Sequence, residues 1–476
     1  MLGRWYNRNL NRLWTFIEDR TSMRKWPLRP QPQFTFKPSY WTGAFVVNAF
    51  LYQVVSGMLL LLYYQPSVFP TLTNCGQTLG TLSQAPAAWC STYYIIHSVP
   101  LGSLLLSSHL YGAYAMIFLL FVHLYRGYYM GVYKKPREFS WMVGTLLLLA
   151  TLGMGFTGYL LPYTALSYGA TNVGIVLAVR TPYIGTILAP FILGDGTPQG
   201  LLSRMFAAHV VLIPLALGAL LAVHLLLFEA HGIAPPATSD PTQRRRFTAR
   251  EDERHVPFMP HIFLYITKWA LLYIGVLLGI AALWPWSLPT YYGNTAAAQG
   301  LIIPDWYFLW LFKILDFVYN TTPIPATFAL GIGTVLLLYF LFLPWLDRSK
   351  RTHPRDRPFF IWLGTSLLEM FALLTVWGGF EPSIQIQLFT YTNGLTPVVL
   401  RLGPLFAVNA VAIAIFHYRY TASYRRRLEE RLPRFPGIYA PIDVVAPPRG
   451  RPTPTASSSG AGPLARAAPS SGGDRA

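Results

Sequence analysis

The sequence predicts an all-α integral membrane protein with eight transmembrane helices, the first four of them gathered into a bundle. Three observations carry this. The 476 residues are 53% hydrophobic and only 12% charged, where a soluble domain carries about 25% charged residues. The apolar residues fall in long runs, each near the roughly 20 residues that a bilayer requires. Nearly all the charge sits in short blocks between those runs, and alternate blocks are basic.

The spans are read at about 43–64, 103–131, 142–161, 204–228, 262–284, 327–346, 359–378 and 395–417. Arg20, Arg24, Lys25 and Arg29 precede the first, while Lys134, Lys135 and Arg137 follow the second. Arg244, Arg245, Arg246, Arg250 and Arg254 follow the fourth; Arg348, Lys350, Arg351, Arg355 and Arg357 follow the sixth; Arg425, Arg426 and Arg427 follow the last. Residues 65–102 carry no charge at all. Basic loops stay on the cytoplasmic side, so a multi-pass cell-membrane protein with both termini in the cytoplasm is expected. The net charge of +18 then reflects topology and contact with anionic lipid. It is spread over separate loops, which argues against nucleic acid as a partner.

Four segments follow: a cytoplasmic N-terminal stretch (1–39), two four-helix regions (40–232 and 233–420) and a basic tail (421–476). Within the first, residues 5–17 can form an amphipathic surface helix, and no cleavable signal peptide is expected. The tail from about Ala446 is rich in Pro, Ala, Ser and Gly and is expected to be disordered. Cys75 and Cys90 both fall in the first external loop; a disulfide and two free thiols are both open readings.

Histidines give the first chemistry. His109 and His123 lie in the second span, 14 apart, and His209 and His224 in the fourth, 15 apart. On a helix, residues 14 apart lie within about 40° of one face and roughly 21 Å apart, and residues 15 apart are offset by about 60°. Two such helices facing each other present two stacked His/His pairs, one near each membrane surface. One such histidine is readily a hydrogen-bonded core residue. Four in matched register point to axial ligation of two stacked haems, because imidazole is a good iron ligand and costly to bury in hydrocarbon.

Glycines repeat the spacing. Gly43 and Gly57 in the first span, and Gly144 and Gly158 in the third, are each 14 apart. A porphyrin edge needs close approach of backbone, which glycine allows; ordinary small-residue helix packing is the other reading. Arg126 and Arg204 can pair with haem propionates or snorkel to the interface.

Several segments carry a family resemblance over about residues 35–420. They are His109 with Arg126-Gly127, Gly158-Tyr159-Leu160-Leu161-Pro162, Gly169-Ala170-Thr171, Pro182-Tyr183-Ile184-Gly185, Pro257-Phe258-Met259-Pro260-His261, Pro304-Asp305-Trp306-Tyr307 and Leu343-Pro344-Trp345-Leu346-Asp347. With them, in this order, the chain resembles cytochrome b, the haem- and quinone-binding subunit of cytochrome bc complexes. The resemblance implies two non-covalent haems, His109 and His209 holding the low-potential one and His123 and His224 the high-potential one. It implies quinol oxidation on the external side, with one electron passing to a Rieske iron–sulfur protein and the other crossing the haems to quinone near the cytoplasm. Cytochrome c or terminal oxidase subunits as further partners, and a homodimer, are implied in the same way.

Asp305 and Tyr307 are the candidate catalytic residues. A quinol hydroxyl loses a proton as its electron leaves, and a carboxylate beside a dry pocket can take it. Asp305 can also be a helix-start carboxylate, and Tyr307 an interfacial aromatic. The family has Glu where this chain has Asp305, one methylene shorter. The 15-residue spacing resembles the chloroplast and Gram-positive branch, in which the chain is usually split. The joined spans, and Tyr40 and Trp41 where that branch has a haem-attaching cysteine, point to a different prokaryotic lineage without a covalent haem. For the cytoplasmic quinone site Glu229, His231, His261 and Lys268 are candidates that the sequence does not rank. Glu369, in the seventh span, reads as a buried carboxylate.

Two other classes compete. A secondary transporter should show inverted repeats and broken helices, and no internal repeat is visible. A two-haem membrane anchor for a dehydrogenase or hydrogenase needs fewer spans and lacks the Pro-Asp-Trp-Tyr loop.

Overall fold

The computed structural model describes residues 30–32, 35–70, 75, 85–179, 184–237, 255–292, 304–319 and 325–380, with isolated positions near 12–15 and 403–419. Residues to Thr421 form one compact unit and Ala422–Ala476 a second; every described residue belongs to the first. The amphipathic segment at 5–17, the eighth span at 395–417 and the tail lie wholly or largely outside the described residues.

Six helical stretches are long and apolar enough to cross a membrane: α1 (Thr42–Leu61), α3 (Gly102–Tyr129), α4 (Glu138–Leu160), the continuous stretch Pro198–His231, the stretch Phe258–Leu283, and the last, which runs to Gly379 within α12 (Pro358–Phe380). The segment read as a sixth span is α11 (Pro325–Leu346), apolar from Gly331 to Leu346. Between these lie helices that the hydropathy pattern did not announce: α2 (Ala87–His97), α5 (Ala165–Val179), α6 (Ile184–Leu193) and α10 (Trp306–Tyr319). They are short or sit in loops, so no bilayer-length run marks them.

The fourth stretch has a specific construction. It begins at Pro198, not near 204, because Thr197 caps it: the Thr197 hydroxyl accepts from the Gly200 N–H at 3.0 Å, and Pro198 occupies the first turn. α7 (Pro198–Ala207) then passes through a five-residue π turn, Ala208–Leu212, into α8 (Ile213–His231). Pro214 explains the turn. Proline offers no N–H, and its ring collides with the carbonyl four residues back in a regular α-helix. Widening the preceding turn to i→i+5 bonding removes that conflict.

α1 packs along α3 and α4 along α8, giving the four-helix arrangement that the histidines require; α9 (Phe263–Leu283) lies against α1 and α3. A short antiparallel ladder, Gln31 opposite Val256 and Pro32 opposite His255, ties the approach to α1 to the approach to α9. At the end opposite the basic connections, Leu160, Tyr163, Ile175, Leu201, Leu202 and Met205 form a buried cluster. Cys75 and Cys90 form a disulfide there, with Cα atoms 5.1 Å apart.

At the basic end, Asp347 is buried between two cations. Lys134 Nζ lies 2.8 Å from Oδ1 and Arg357 Nη1 3.2 Å from Oδ2, and the Tyr133 hydroxyl donates to Oδ2 at 2.6 Å. Arg357 also donates to the carbonyls of Tyr129 at 2.7 Å and Thr352 at 3.1 Å. The network locks the α3–α4 connection to the α11–α12 connection. Basic residues read from sequence as topology signals thus include three, Lys134, Arg137 and Arg357, that are buried, Lys134 and Arg357 as partners of Asp347.

Glu369 departs from its sequence reading. It is exposed on α12 rather than buried, because its face of the helix turns away from α10, where Met370 and Leu374 pack with Trp310 and Ile314.

Candidate functional site

Each histidine of α3 meets one from the fourth stretch. The ring centroids of His109 and His209 are 6.4 Å apart with planes at 79°, and those of His123 and His224 are 6.5 Å apart at 77°. The first pair lies toward the end opposite the basic connections, the second toward the basic end. The unequal spacing of 14 and 15 is reconciled by the π turn. It adds one residue between His209 and His224 without adding a turn, so both histidines stay on the face that looks at α3.

The four glycines each face one imidazole. A Cβ at Gly43 would lie 3.0 Å from His123 Cε1, at Gly57 3.2 Å from His109 Cε1, at Gly144 3.2 Å from His224 Cε1, and at Gly158 2.5 Å from His209 Cε1. The rings, then, are what the missing side chains make room for.

Hydrogen bonds fix the tautomers of His209 and His109. His209 Nδ1 lies 3.0 Å from the Met154 carbonyl; a carbonyl only accepts, so Nδ1 carries the proton and Nε2 is bare. His109 Nδ1 lies 2.8 Å from Ser56 Oγ, whose own proton goes to the Tyr52 carbonyl at 2.8 Å, again making the imidazole the donor. Thr42 Oγ1 stands 3.0 Å from His123 Nδ1, and Thr157 Oγ1 3.4 Å from His209 Nδ1. His224 differs in having no hydroxyl beside it; its partner on that side is the backbone of Ser140. The sequence held a signal for these partners that the histidine and glycine spacings alone did not use. A hydroxyl residue precedes three of the four glycines (Thr42-Gly43, Ser56-Gly57, Thr157-Gly158), while Val143 precedes Gly144.

This geometry fits haem. Two imidazoles bonded at about 2 Å to one metal place their centroids about 6 Å apart. Among the described residues no group of three or more His, Cys, Asp or Glu could hold a metal ion. A protein offering two bare imidazole nitrogens suits a metal that brings its other ligands with it, as porphyrin iron does.

The third feature is a carboxylate held by tyrosines. Asp305 immediately precedes α10, its Oδ1 accepting from the Tyr114 hydroxyl at 2.7 Å and its Oδ2 from the Tyr307 hydroxyl at 2.8 Å. Burial raises the Asp305 pKa above the ordinary carboxylate range, while the two tyrosine bonds pull it down. Tyr307 is only 2% exposed, its hydroxyl against Gly155, where a Cβ would come within 2.4 Å. Gly155 is three residues from Gly158, so the carboxylate cluster stands about one helical turn from the His109/His209 pair. Tyr114 and Gly155 carry no motif, and only the packing of α10 against α3 and α4 reveals them.

Other candidates are placed as follows. The Arg126 guanidinium lies over the Tyr40 ring, 4.6 Å from its centroid, and Arg204 donates to the Gly200 carbonyl at 3.2 Å. Glu229 and His261 are exposed, His231 Nδ1 is 2.8 Å from the Leu227 carbonyl, and Lys268 Nζ sits 4.5 Å from the Tyr265 ring centroid. No ion pair joins Glu229 to Lys268 among the described residues.

Residues 114–290 match the family described as Cytochrome b(N-terminal)/b6/petB, and residues 293–395 that described as Cytochrome b(C-terminal)/b6/petD. The chain is 33% identical over 410 residues to a cytochrome b of Sulfolobus acidocaldarius, which spans 81% of this chain and 69% of the relative. It is 32% identical over 338 residues to the cytochrome bc complex cytochrome b subunit of Chlorobaculum thiosulfatiphilum, covering 71% and 72% of the two. A menaquinol:cytochrome c reductase cytochrome b subunit of Bacillus subtilis is 37% identical over 199 residues, 41% of this chain and 81% of that one. Among solved structures, a chain of a hyperthermophilic respiratory Complex III superposes with a TM-score of 0.63 at 25% identity, over 84% of this chain and 96% of the other. With relatives at this identity spanning most of both partners, the chain belongs to the cytochrome b family.

Proposed function

We propose that this protein is the di-haem cytochrome b subunit of a bc-type respiratory complex in the cell membrane, oxidising quinol at the external end of the bundle and serving quinone reduction at the basic, cytoplasmic end. The observation that carries the reading is the pair of facing imidazoles, His109 with His209 and His123 with His224, each opposed by a glycine. When bound there, two haems supply reversible one-electron storage on the path across the membrane. The chain holds His109 and His209 in one tautomer through Ser56, Thr157 and the Met154 carbonyl, Thr42 stands beside His123, and the glycines leave the rings room.

Asp305 is the proton acceptor for quinol. Its carboxylate is buried, is held by two hydroxyl donors, and stands a helical turn from the external histidine pair. Tyr307 fixes its orientation and lines the same pocket. Arg126 and Arg204, placed at the ends of the bundle, suit the propionates. A Rieske protein as acceptor of the other electron, cytochrome c or terminal oxidase subunits, and a second copy of the chain complete the proposed assembly. Relatives described as subunits of bc complexes and of menaquinol:cytochrome c reductase support a bc-type assembly with a cytochrome c acceptor; the second copy rests on the family resemblance. Eight spans, with 395–417 the eighth, belong to the same proposal.

The test is haem extraction and a redox titration of the purified protein. Two non-covalent haems per chain, titrating separately and lost singly in His109→Ala and His123→Ala, are expected. A well-folded preparation without haem overturns the reading.

A further inference from the structure

Glu369 is a carboxylate turned outward at the middle of a membrane span. It stands eleven residues from Pro358 and eleven from Phe380, the two ends of α12. About 16 Å of helix therefore separates it from either end. The side of α12 that meets α10 is taken by Met370 and Leu374. Glu369 belongs instead to a row of exposed positions with Ala372, Leu373 and Val376, of which Leu373 is 40% and Val376 56% exposed. Positions 369, 372, 373 and 376 follow the i, i+3, i+4, i+7 spacing by which a helix presents one continuous stripe to a neighbour. Ala372, small and beside the carboxylate, lets a second backbone come close.

Nothing described in the chain answers this carboxylate. Neither a hydrogen bond nor an ion pair joins Glu369 to a described residue. The hydroxyls of Thr365, one turn back on α12, and of Tyr129 on α3 are joined to each other at 3.1 Å. Lipid tails offer no donor, and an acidic side chain at this depth is costly unless another polar group meets it. A second copy of this chain does not supply one. Two copies related by an axis along the membrane normal would bring this stripe against itself, setting Glu369 opposite Glu369 at the same depth. The complement of the stripe is an apolar helix with a donor near its middle.

We propose that the α12 stripe of Glu369, Ala372, Leu373 and Val376 is the docking surface for a transmembrane helix of a different polypeptide, which presents a hydrogen-bond donor, cationic or neutral, at the depth of Glu369. Leu373 and Val376 supply the apolar contact, and the carboxylate fixes the register and selects the partner. The inference needs α12 to span the membrane and is independent of the haem reading.

The experiment places a photoreactive phenylalanine analogue at Leu373 or Val376 and, as a control on another exposed surface, at Val335 of α11 (66% exposed). The complex is irradiated in its native membranes, purified and analysed by peptide mass spectrometry. From Leu373 and Val376, but not Val335, the expected product joins this chain to a membrane-spanning segment of another polypeptide with a donor side chain in its middle third. Glu369→Leu should reduce that product at least tenfold. Glu369→Gln, whose amide oxygen still accepts a hydrogen bond, should retain more of it than Glu369→Leu. The melting temperature of each variant is read beside the yield, and leucine facing lipid should leave it unchanged. Products with lipid alone or with a second copy of this chain overturn the inference, as does an undiminished yield in Glu369→Leu.

Discussion

Gly158 and His209 are so closely opposed that a Cβ on the glycine would lie 2.5 Å from the imidazole Cε1, whereas at Gly57, Gly144 and Gly43 the same atom would meet its histidine at 3.2, 3.2 and 3.0 Å. Contacts near 3.2 Å ask a neighbour to give by a few tenths of an ångström, while 2.5 Å forces a ring or a helix to move. Gly158→Ala should therefore deplete the haem of the His109/His209 pair, and Gly57→Ala and Gly144→Ala should retain most of theirs. Haem content and the reduced-minus-oxidised spectrum of each variant read this directly. Equal retention in all three would show that the glycine contacts do not limit ligation.

The register of the fourth stretch gives a second test. Deleting Val211 together with Pro214→Ala removes the extra residue along with the proline that requires the π turn. The histidines are then 14 apart in a regular helix, and both haems should remain. Deleting Leu220 instead leaves the turn in place and rotates His224 by about 100° relative to His209, which should cost one haem. Two haems in the Leu220 deletion would refute this account of the spacing.

Asp305 predicts a pH profile. Burial raises its pKa, and only the deprotonated carboxylate can take a proton from quinol. The rate of quinol oxidation should rise with pH through that raised pKa and level off above it. The Tyr114 bond favours the charged form, so Tyr114→Phe should move the rise to higher pH. Asp305→Asn should lower the rate and flatten the profile. The measurement is steady-state oxidation of a soluble quinol analogue by the purified complex across the pH range.

At the basic end, Asp347→Asn would leave Lys134 and Arg357, 6% and 0% exposed in their side chains, without the carboxylate between them. Breaking a buried pair from one side costs about 3–5 kcal/mol, so a clearly lowered melting temperature in detergent is expected. Arg351→Ala, at the exposed 3.8 Å contact with Asp356, should change the melting temperature little, as surface pairs contribute about 0–1 kcal/mol.

What the sequence determined by itself is one-dimensional and periodic. Apolar run lengths marked α1, α3, α4 and the stretches ending in α8 and α9, and basic blocks marked one end of the bundle. The 14-residue repeats of His109/His123, Gly43/Gly57 and Gly144/Gly158 put each pair on one helix face, because helical geometry is local. The Pro-Asp-Trp-Tyr segment singled out Asp305. Only the tertiary structure decided which faces meet. It set Gly57 against His109 and Gly158 against His209, carried the Tyr114 hydroxyl to Asp305 across 191 residues of chain, made Lys134 and Arg357 partners of Asp347, and turned Glu369 outward. The physical reason is that these spans are apolar on nearly every side. A helix with no polar stripe shows that it is buried in protein or lipid but not how it is rotated. Rotation and pairing are settled by close packing at small residues, by the hydrogen bonds of a few buried polar groups, and by the turn that Pro214 imposes.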